Sequence, residues 1–310
     1  MNIAMAFSDM YFRPACVTIA SLFSHNQDSK ELELFIIPQN LSVEQTSFIV
    51  NLAKQYHRII HFCSASSFQA CINSLKLQQW HGSSISFAKC FADVLFPNVE
   101  RLLFIDADLF VNHSLEPLWH FDLDGRTIGA AQDLAPGVAF NSGVLLMDLE
   151  RWRSLGYHER IQKSLLSAQT RYVEQDIFNS LFAQDVRFFS ITYNFSPLWL
   201  LFGYQNFKEL PLNERFTKKD FHELKGSATI FHFWMSGQTF PWNDFDRAIG
   251  KKWSRCYLEV FHEKAVCPHK KGVRRRQIRS AMANDCKKTS SAAKVLSKVW
   301  CNNSSLLTTY

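Results

Sequence analysis

The feature that most constrains this 310-residue chain is the alternation of short apolar runs with helical patterns over its first 105 residues. Four apolar runs predict strands, at Ile3 to Phe7, Leu32 to Ile37, Ile59 to Phe62 and Arg101 to Ile105. Strands that alternate with helices predict an α/β fold with a mainly parallel sheet. The fourth run is nearly all apolar, which is typical of a strand buried on both faces.

Helix signals fill the segments between these strands. The predicted helices run from Pro14 to about Phe23, from a capping box at Ser42 and Gln45 to about Tyr56, and over about 67–75 and 84–95. The second half is less regular. It predicts strands at 128–131, 143–148 and 229–233 and a helix at 174–182.

The charge of the chain is unevenly distributed. Its net charge is +6, but residues 251–310 hold 14 Lys and Arg against three acidic residues, which gives them +11 and leaves −5 for residues 1–250. This asymmetry predicts a folded body at 1–250 and a basic tail at 251–310 that meets an anionic partner. An anionic membrane face is favoured over nucleic acid, because no aromatic platform accompanies the charge. A solvated helix or a disordered end would look the same.

Cysteine usage and apolar runs bear on the compartment. The eight cysteines include no Cys-x-x-Cys pair, and no apolar run reaches the length of a membrane-spanning helix. The first 12 residues lack a basic region and carry Asp9, unlike a signal peptide. These features predict a cytoplasmic protein with mostly reduced thiols. The basic tail adds the expectation that the protein associates peripherally with the inner face of the membrane.

Two carboxylates follow the fourth predicted strand, at Asp106 and Asp108. Ligands of parallel α/β sheets bind beyond the carboxyl ends of the strands, and Mg²⁺ and Mn²⁺ prefer carboxylate oxygens. A solvated turn or a helix cap is the alternative interpretation. His232 ends another apolar run and is a candidate third ligand, although its position taken alone favours a buried core histidine.

Two further segments admit two interpretations each. Asn141 in Phe140 to Gly143 could bind sugar hydroxyls, or the segment could be a tight turn. Glu174 and Gln175 open a predicted helix, where acidic residues usually complement the helix dipole, but Gln175 could face a sugar.

In order and spacing these motifs resemble glycosyltransferase family 8, a family of retaining enzymes, and most of all its bacterial lipopolysaccharide galactosyl- and glucosyltransferases. The resemblance extends over roughly residues 1–245. Its segments are IAMAFSDMY at 3–11, SFAK at 86–89, FIDAD at 104–108, FNSGVLL at 140–146, DLERWR at 148–153, EQDIFN at 174–179, and HF at 232–233 with Gly237 and Pro241-Trp242.

The resemblance implies a GT-A fold over 1–250, with a nucleotide-sugar half at about 1–110 and an acceptor-side half at about 111–250. It implies that Asp106, Asp108 and His232 hold Mn²⁺ or Mg²⁺ against the diphosphate of a UDP-hexose. The implied donor-binding residues are Ala6, Ser8, Asp9, Tyr11, Lys89, Asp106, Asn141 and Gly237. The implied catalytic residues are Gln175, Glu174 and Asp133, with Gln175 nearest the anomeric carbon.

The chain departs from the family pattern at two positions. Phe240 stands where the family has a lysine that contacts the diphosphate, and Lys89 stands where the family usually has an arginine. A charge-assisted contact to phosphate contributes roughly 1.5–3 kcal/mol, so weaker UDP binding is expected.

Three functions are therefore compared. The first is hexose transfer to lipopolysaccharide or another surface glycan. The second is a catalytically weak or inactive relative that binds a glycan or a partner. The third is a nucleotidyltransferase, since those enzymes also pair Asp-x-Asp with an α/β sheet.

Overall fold

The structure is a computed structural model that describes residues 1–64, 84–133, 139–167, 174–197, 199–209, 213, 215–233 and 248–264. The helix predicted at 67–75, Gly237, Phe240 and the tail beyond residue 264 lie outside these ranges.

A seven-stranded mixed sheet forms the centre of the molecule, in the order β3-β2-β1-β4-β7-β6-β8. Within it only β7 runs antiparallel to its two neighbours, and the remaining pairs are parallel. A separate two-stranded sheet pairs β5 with β9. The strands are β1 Asn2–Ser8, β2 Glu33–Gln39, β3 Ile60–Phe62, β4 Arg101–Ile105, β5 Leu109–Val111, β6 Ile128–Gln132, β7 Phe140–Asp148, β8 Val186–Phe188 and β9 Ile230–His232.

Helices cover both faces of the large sheet. The α-helices are α1 Phe12–Ser24, α2 Val43–Gln55, α3 Ala92–Leu95, α4 Glu116–Trp119, α5 Leu149–Ser154, α6 Tyr157–Ser167, α7 Glu174–Phe182, α8 Trp199–Lys208, α9 Lys218–Ser227 and α10 Ala248–Phe261, and 3-10 turns span Asp9–Tyr11, Ile85–Phe91 and Ile191–Tyr193. In the described part of the chain, no helix is long and apolar enough to cross a membrane.

The hydrophobic core consists of two clusters on opposite faces of the sheet, and β4 contributes alternate side chains to both. Leu103 and Ile105 point into a cluster shared with α1 and α2, and Leu102 and Phe104 point into a second cluster on the opposite face. Because β4 is buried on both faces, its apolar composition has a structural cause. The mainly parallel α/β fold predicted from the sequence is confirmed.

The antiparallel strand β7 brings its N-terminal end to the carboxyl end of β4. Val144 pairs with Ile105, and the Asp106 N–H donates to the Gly143 carbonyl at 2.8 Å. Residues 140–142 therefore belong to the strand, and the tight turn considered for this segment is wrong. Their turn-forming side chains find hydrogen-bond partners within the fold instead.

Two other elements differ from the sequence predictions. The helix predicted at 84–95 is a 3-10 helix, Ile85–Phe91, followed by one α-helical turn. Helix α10 crosses the predicted boundary at residue 250, and its Trp253, Tyr257 and Val260 are buried in the same core as α1. The first turns of the basic region thus pack on the body. The capping box at Ser42 and Gln45 is confirmed.

Candidate active site

Two carboxylates and one imidazole converge at the carboxyl end of β4. His232 Nε2 lies 3.3 Å from Asp108 Oδ1 and 3.6 Å from Asp106 Oδ2. One ligand atom from each of the three residues lies within 4.8 Å of the other two. His232 reaches the cluster because β9 pairs with β5 in a register that sets His232 opposite Leu109. Two carboxylate oxygens and one imidazole nitrogen are a donor set suited to Mn²⁺ or Mg²⁺.

Gly143 provides the space that His232 occupies. A Cβ atom on Gly143 would lie 2.1 Å from His232 Cε1 and 2.6 Å from its Nδ1. Real Cβ atoms do not approach other atoms so closely, so any side chain at 143 would displace the imidazole. Glycine is required here because a side chain would have no room. The backbone conformation does not require it, since the residue lies in an ordinary strand.

A buried lysine pairs with the cluster. Lys89 is 1% exposed, and its Nζ lies 2.7 Å from Asp106 Oδ1 and 3.3 Å from Glu174 Oε1. Nζ also donates to the Ser142 carbonyl at 2.9 Å. Burial by itself lowers the pKa of Lys89, but the two carboxylates raise it above its ordinary value. The lysine is therefore a fixed positive charge next to Asp106.

Asp106 experiences opposing influences. Burial raises its pKa, Lys89 and His232 lower it, and Asp108 and Glu174 raise it, so that the pKa of Asp106 is raised overall. Two carboxylates this close repel each other, which a divalent cation between them would relieve.

The predicted catalytic side chains form one hydrogen-bonded group beside Lys89. Gln175 Oε1 accepts from the Ser142 N–H at 3.0 Å, and its Nε2 donates to Asp133 Oδ2 at 3.3 Å. Asn141 Nδ2 donates to the same Asp133 oxygen at 3.4 Å. Glu174 and Gln175 belong to the first turn of α7, where both are buried. Both side chains are therefore buried and hydrogen-bonded within the fold, unlike exposed residues that only complement a helix dipole.

The loop after β1 approaches the cluster from the neighbouring strand. Ser8 is buried at the end of β1, Ala6 and Tyr11 are half-buried, and Asp9 is exposed. Burial, and next the charges of Asp108 and Asp106, raise the pKa of Tyr11.

Three residues of this site had no predicted role. Ser142 contacts Lys89, Glu174 and Gln175, Gly143 makes room for His232, and Asn194 bonds both Asn141 and His232. In the sequence, Asn194 is an isolated amide between Tyr193 and Phe195, and this was the available signal.

Known proteins match this arrangement of elements. The sequence profile of glycosyl transferase family 8 matches residues 2–246. The chain belongs to glycosyl transferase family 8. The match covers the β1 loop, the aspartate pair, β7, α7 and His232, and it places the chain among sugar transferases rather than nucleotidyltransferases.

Relatives with curated names support this family assignment. A putative glycosyltransferase of Haemophilus influenzae is 26% identical over 220 residues, which are 64% of this chain and 64% of that protein. The lipopolysaccharide 1,2-glucosyltransferase of Escherichia coli is 24% identical over 284 residues, 84% of this chain and 78% of that protein.

Solved structures agree in fold. A galactosyltransferase, LgtC, in complex with donor and acceptor sugar analogues superposes with a TM-score of 0.65 at 22% identity, covering 84% of this chain and 96% of LgtC. GlyE of Streptococcus pneumoniae gives a TM-score of 0.61 at 23% identity, covering 83% of this chain and 60% of GlyE. The family 8 protein therefore has the GT-A fold.

Proposed function

We propose that this protein is a retaining hexosyltransferase that moves glucose or galactose from a UDP-sugar to a glycan acceptor, with the help of Mn²⁺ or Mg²⁺. The observation that carries the proposal is the cluster of Asp106, Asp108 and His232, whose ligand atoms lie within 4.8 Å of one another. The names of the relatives support the acceptor class, since they include a lipopolysaccharide glucosyltransferase. Lipopolysaccharide or another surface polysaccharide is the acceptor we favour.

The cluster would hold the metal ion through Asp106, Asp108 and His232. A divalent cation bound there supplies Lewis-acid stabilisation of the charge that develops on a departing diphosphate. Lys89 adds a positive charge that is already buried and oriented, 2.7 Å from Asp106. In this proposal the uridine lies against the β1 loop, where Ala6, Ser8, Asp9 and Tyr11 line its pocket.

The buried amide group orients the donor hexose. Hydrogen bonds to Ser142 and Asp133 fix both ends of the Gln175 amide, so its orientation is set before any sugar binds. In our proposal Gln175 lies nearest the anomeric carbon, Glu174, Asp133 and Asn141 contact the hexose, and Gly237 contacts the donor. Retention then needs no strong base, because the departing phosphate accepts the proton of the acceptor hydroxyl.

Thermal unfolding with UDP-glucose and UDP-galactose, with and without Mn²⁺, tests this function. We expect Mn²⁺-dependent stabilisation by one of the two donors, and slow hydrolysis of that donor to UDP without acceptor. Asp106→Asn and Asp108→Asn should abolish the stabilisation. Asp124→Asn is the matched control, since Asp124 is exposed and lies in a distant turn. Unchanged stabilisation in both site variants would refute the proposal.

The alternative of a catalytically weak or inactive relative keeps two arguments. Lys89 already pairs with Asp106 Oδ1 at 2.7 Å, and Phe240 stands where the family has a phosphate-binding lysine. Calorimetry that detects UDP-sugar binding, combined with no product from a panel of glycan acceptors, would favour this alternative.

We also propose that the basic region 251–310 attaches the protein to the cytoplasmic face of an anionic membrane. Helix α10 supports this idea, because its apolar side chains pack on the body while Lys251, Lys252 and Arg255 remain exposed. A surface cavity of about 350 Å³ lies beside them, lined also by His25 and Asn112. Each basic residue near an anionic surface adds about 1 kcal/mol of attraction.

Vesicle sedimentation tests this attachment. Lys251→Gln, Lys252→Gln and Arg255→Gln combined should weaken binding of the full chain to vesicles that contain phosphatidylglycerol. Lys218→Gln, Lys219→Gln and Lys225→Gln, combined on the exposed face of α9, form a control with the same change of charge. An equal loss of vesicle binding in both triple variants would show that only net charge matters. No loss of binding in either variant would show that α10 takes no part in the attachment.

A further inference from the structure

The buried side chain of Asn194 connects the residues proposed to contact the sugar with those proposed to bind the metal ion. Asn194 is 3% exposed and follows the 3-10 turn Ile191–Tyr193. Its neighbour Phe195 is held to β9 on both sides, because the Phe195 N–H donates to the Ile230 carbonyl and the His232 N–H donates to the Phe195 carbonyl. The backbone thus holds Asn194 at a fixed distance from His232.

The side-chain amide of Asn194 makes one hydrogen bond in each direction. Its Nδ2 donates to Asn141 Oδ1 at 2.9 Å, and its Oδ1 lies 2.8 Å from His232 Nδ1. Asn141 in turn donates to Asp133. A continuous buried chain of hydrogen bonds therefore connects the Asp133 carboxylate with the imidazole of His232.

The direction of every bond in this chain follows from one backbone group. The Gly143 N–H can only donate, and it donates to the side-chain oxygen of Asn141 at 2.9 Å. That oxygen accepts, so Asn194 must turn its NH₂ toward it and its own oxygen toward His232. An oxygen that only accepts requires a proton on His232 Nδ1.

This order leaves His232 Nε2 as the ring atom directed at the aspartates, 3.3 Å from Asp108 Oδ1. In a neutral imidazole with a proton on Nδ1, Nε2 carries the lone pair that binds metal. We propose that Asn194 is a positioning residue that fixes the tautomer and the ring orientation of His232 for a divalent cation. Outer partners of metal-ligating histidines commonly act in this way. The proposal rests on metal binding at the proposed active site.

Metal affinity is the first test, and it does not depend on turnover. Mn²⁺ binding in the presence of UDP, followed by electron paramagnetic resonance of free Mn²⁺, should weaken roughly 10- to 100-fold in Asn194→Leu. Asn194→Asp should weaken it less, because a carboxylate accepts the same Nδ1 proton. If the aspartate variant binds as weakly as the leucine variant, or if the leucine variant binds as the wild type does, the proposal fails.

Asn26→Leu is the matched control. Asn26 is also 3% exposed and also uses both ends of its amide, accepting from the Leu115 N–H and donating to the Leu22 carbonyl. It lies just beyond the C-terminal end of α1, opposite the end that adjoins the β1 loop, so its replacement should lower stability and leave Mn²⁺ affinity unchanged. Equal losses of affinity in Asn26→Leu and Asn194→Leu would reduce Asn194 to a structural residue and overturn the proposal.

A measurement on the unmodified protein covers the case in which Asn194→Leu does not fold. Nitrogen-15 NMR of labelled histidines in metal-free protein reports which ring nitrogen carries the proton, and His232→Gln identifies the resonance. We expect a protonated Nδ1 and a bare Nε2 in neutral His232, and the opposite tautomer would overturn the proposal. A wild-type protein with the expected tautomer but without Mn²⁺ affinity would refute the proposed active site, and with it the purpose we assign to Asn194.

Discussion

Lys89 Nζ lies 2.7 Å from Asp106 Oδ1, so a buried lysine pairs with one of the two aspartates that follow β4. The same ammonium group contacts Glu174 and the Ser142 carbonyl. This single cation therefore links the aspartate pair after β4 with the first turn of α7. The site is held together by charge before any ligand arrives.

Removing that cation should destabilise the fold. Lys89→Met leaves Asp106 and Glu174 without their shared counter-charge, and breaking a buried ion pair from one side costs roughly 3–5 kcal/mol of unfolding free energy. Urea unfolding at neutral pH measures the change. Lys225→Met on exposed α9 should change stability by no more than about 0.5 kcal/mol. Equal stabilities for the two variants would show that the buried pair is not stabilising.

Gly143 should be intolerant of a single methyl group. Gly143→Ala places a Cβ atom 2.1 Å from His232 Cε1, so the imidazole must move away from the aspartates. We expect a loss of roughly 1–3 kcal/mol of stability together with weaker Mn²⁺ binding. Gly226→Ala is the control. Gly226 lies in helix α9, and a Cβ atom on it would meet nothing within 4 Å. Normal Mn²⁺ affinity in Gly143→Ala would contradict the spatial argument.

The acid sensitivity of the protein should depend partly on Asp185. Its carboxylate accepts from the Thr127 N–H, the Thr127 hydroxyl at 2.5 Å and the Tyr157 hydroxyl at 2.7 Å. Burial raises the pKa of Asp185, but these hydrogen bonds outweigh it and the pKa is lowered below the ordinary 3.8. A lowered pKa contributes stability that is present above the unfolded value and disappears as the pH falls through the folded value.

Asp185→Asn should therefore cost about 1–3 kcal/mol at pH 7, and the difference from the wild type should shrink below about pH 4. Urea unfolding at neutral and at acid pH measures both quantities. Asp124→Asn, at an exposed turn, should follow the wild type at every pH. A difference for Asp185→Asn that stays constant down to pH 2 would contradict this explanation.

Much of the cluster of Asp106, Asp108 and His232 was predictable from the sequence. A buried parallel strand delivers whatever follows it to the carboxyl edge of the sheet, so Asp106 and Asp108 were recognisable from position alone. His232 was recognisable only as a candidate, because its approach depends on pairing between β5 and β9, strands 121 residues apart at Leu109 and Ile230. Pairing between strands so far apart in the chain leaves no local sequence pattern from which it could be predicted.

The remaining residues of the site could not be assigned from the sequence, for physical reasons that the fold makes clear. Asn141, Ser142 and Gly143 have the composition of a turn, and only tertiary partners make them a strand. In α10 the basic charge dominated the interpretation, although Trp253, Tyr257 and Val260 have the spacing of one helical face. The isolated amide of Asn194 is visible in the sequence, but its connection to the site follows only from its two partners in the fold.

Binding of Mn²⁺ in the presence of UDP tests the central claim most directly. Isothermal titration calorimetry of the wild type should show one Mn²⁺ site that depends on UDP. Asp108→Asn should weaken it by more than the roughly 10- to 100-fold expected for loss of an outer partner, because a ligand itself loses its negative charge and keeps only a neutral amide oxygen. Equal Mn²⁺ affinity in the wild type and Asp108→Asn would contradict the account.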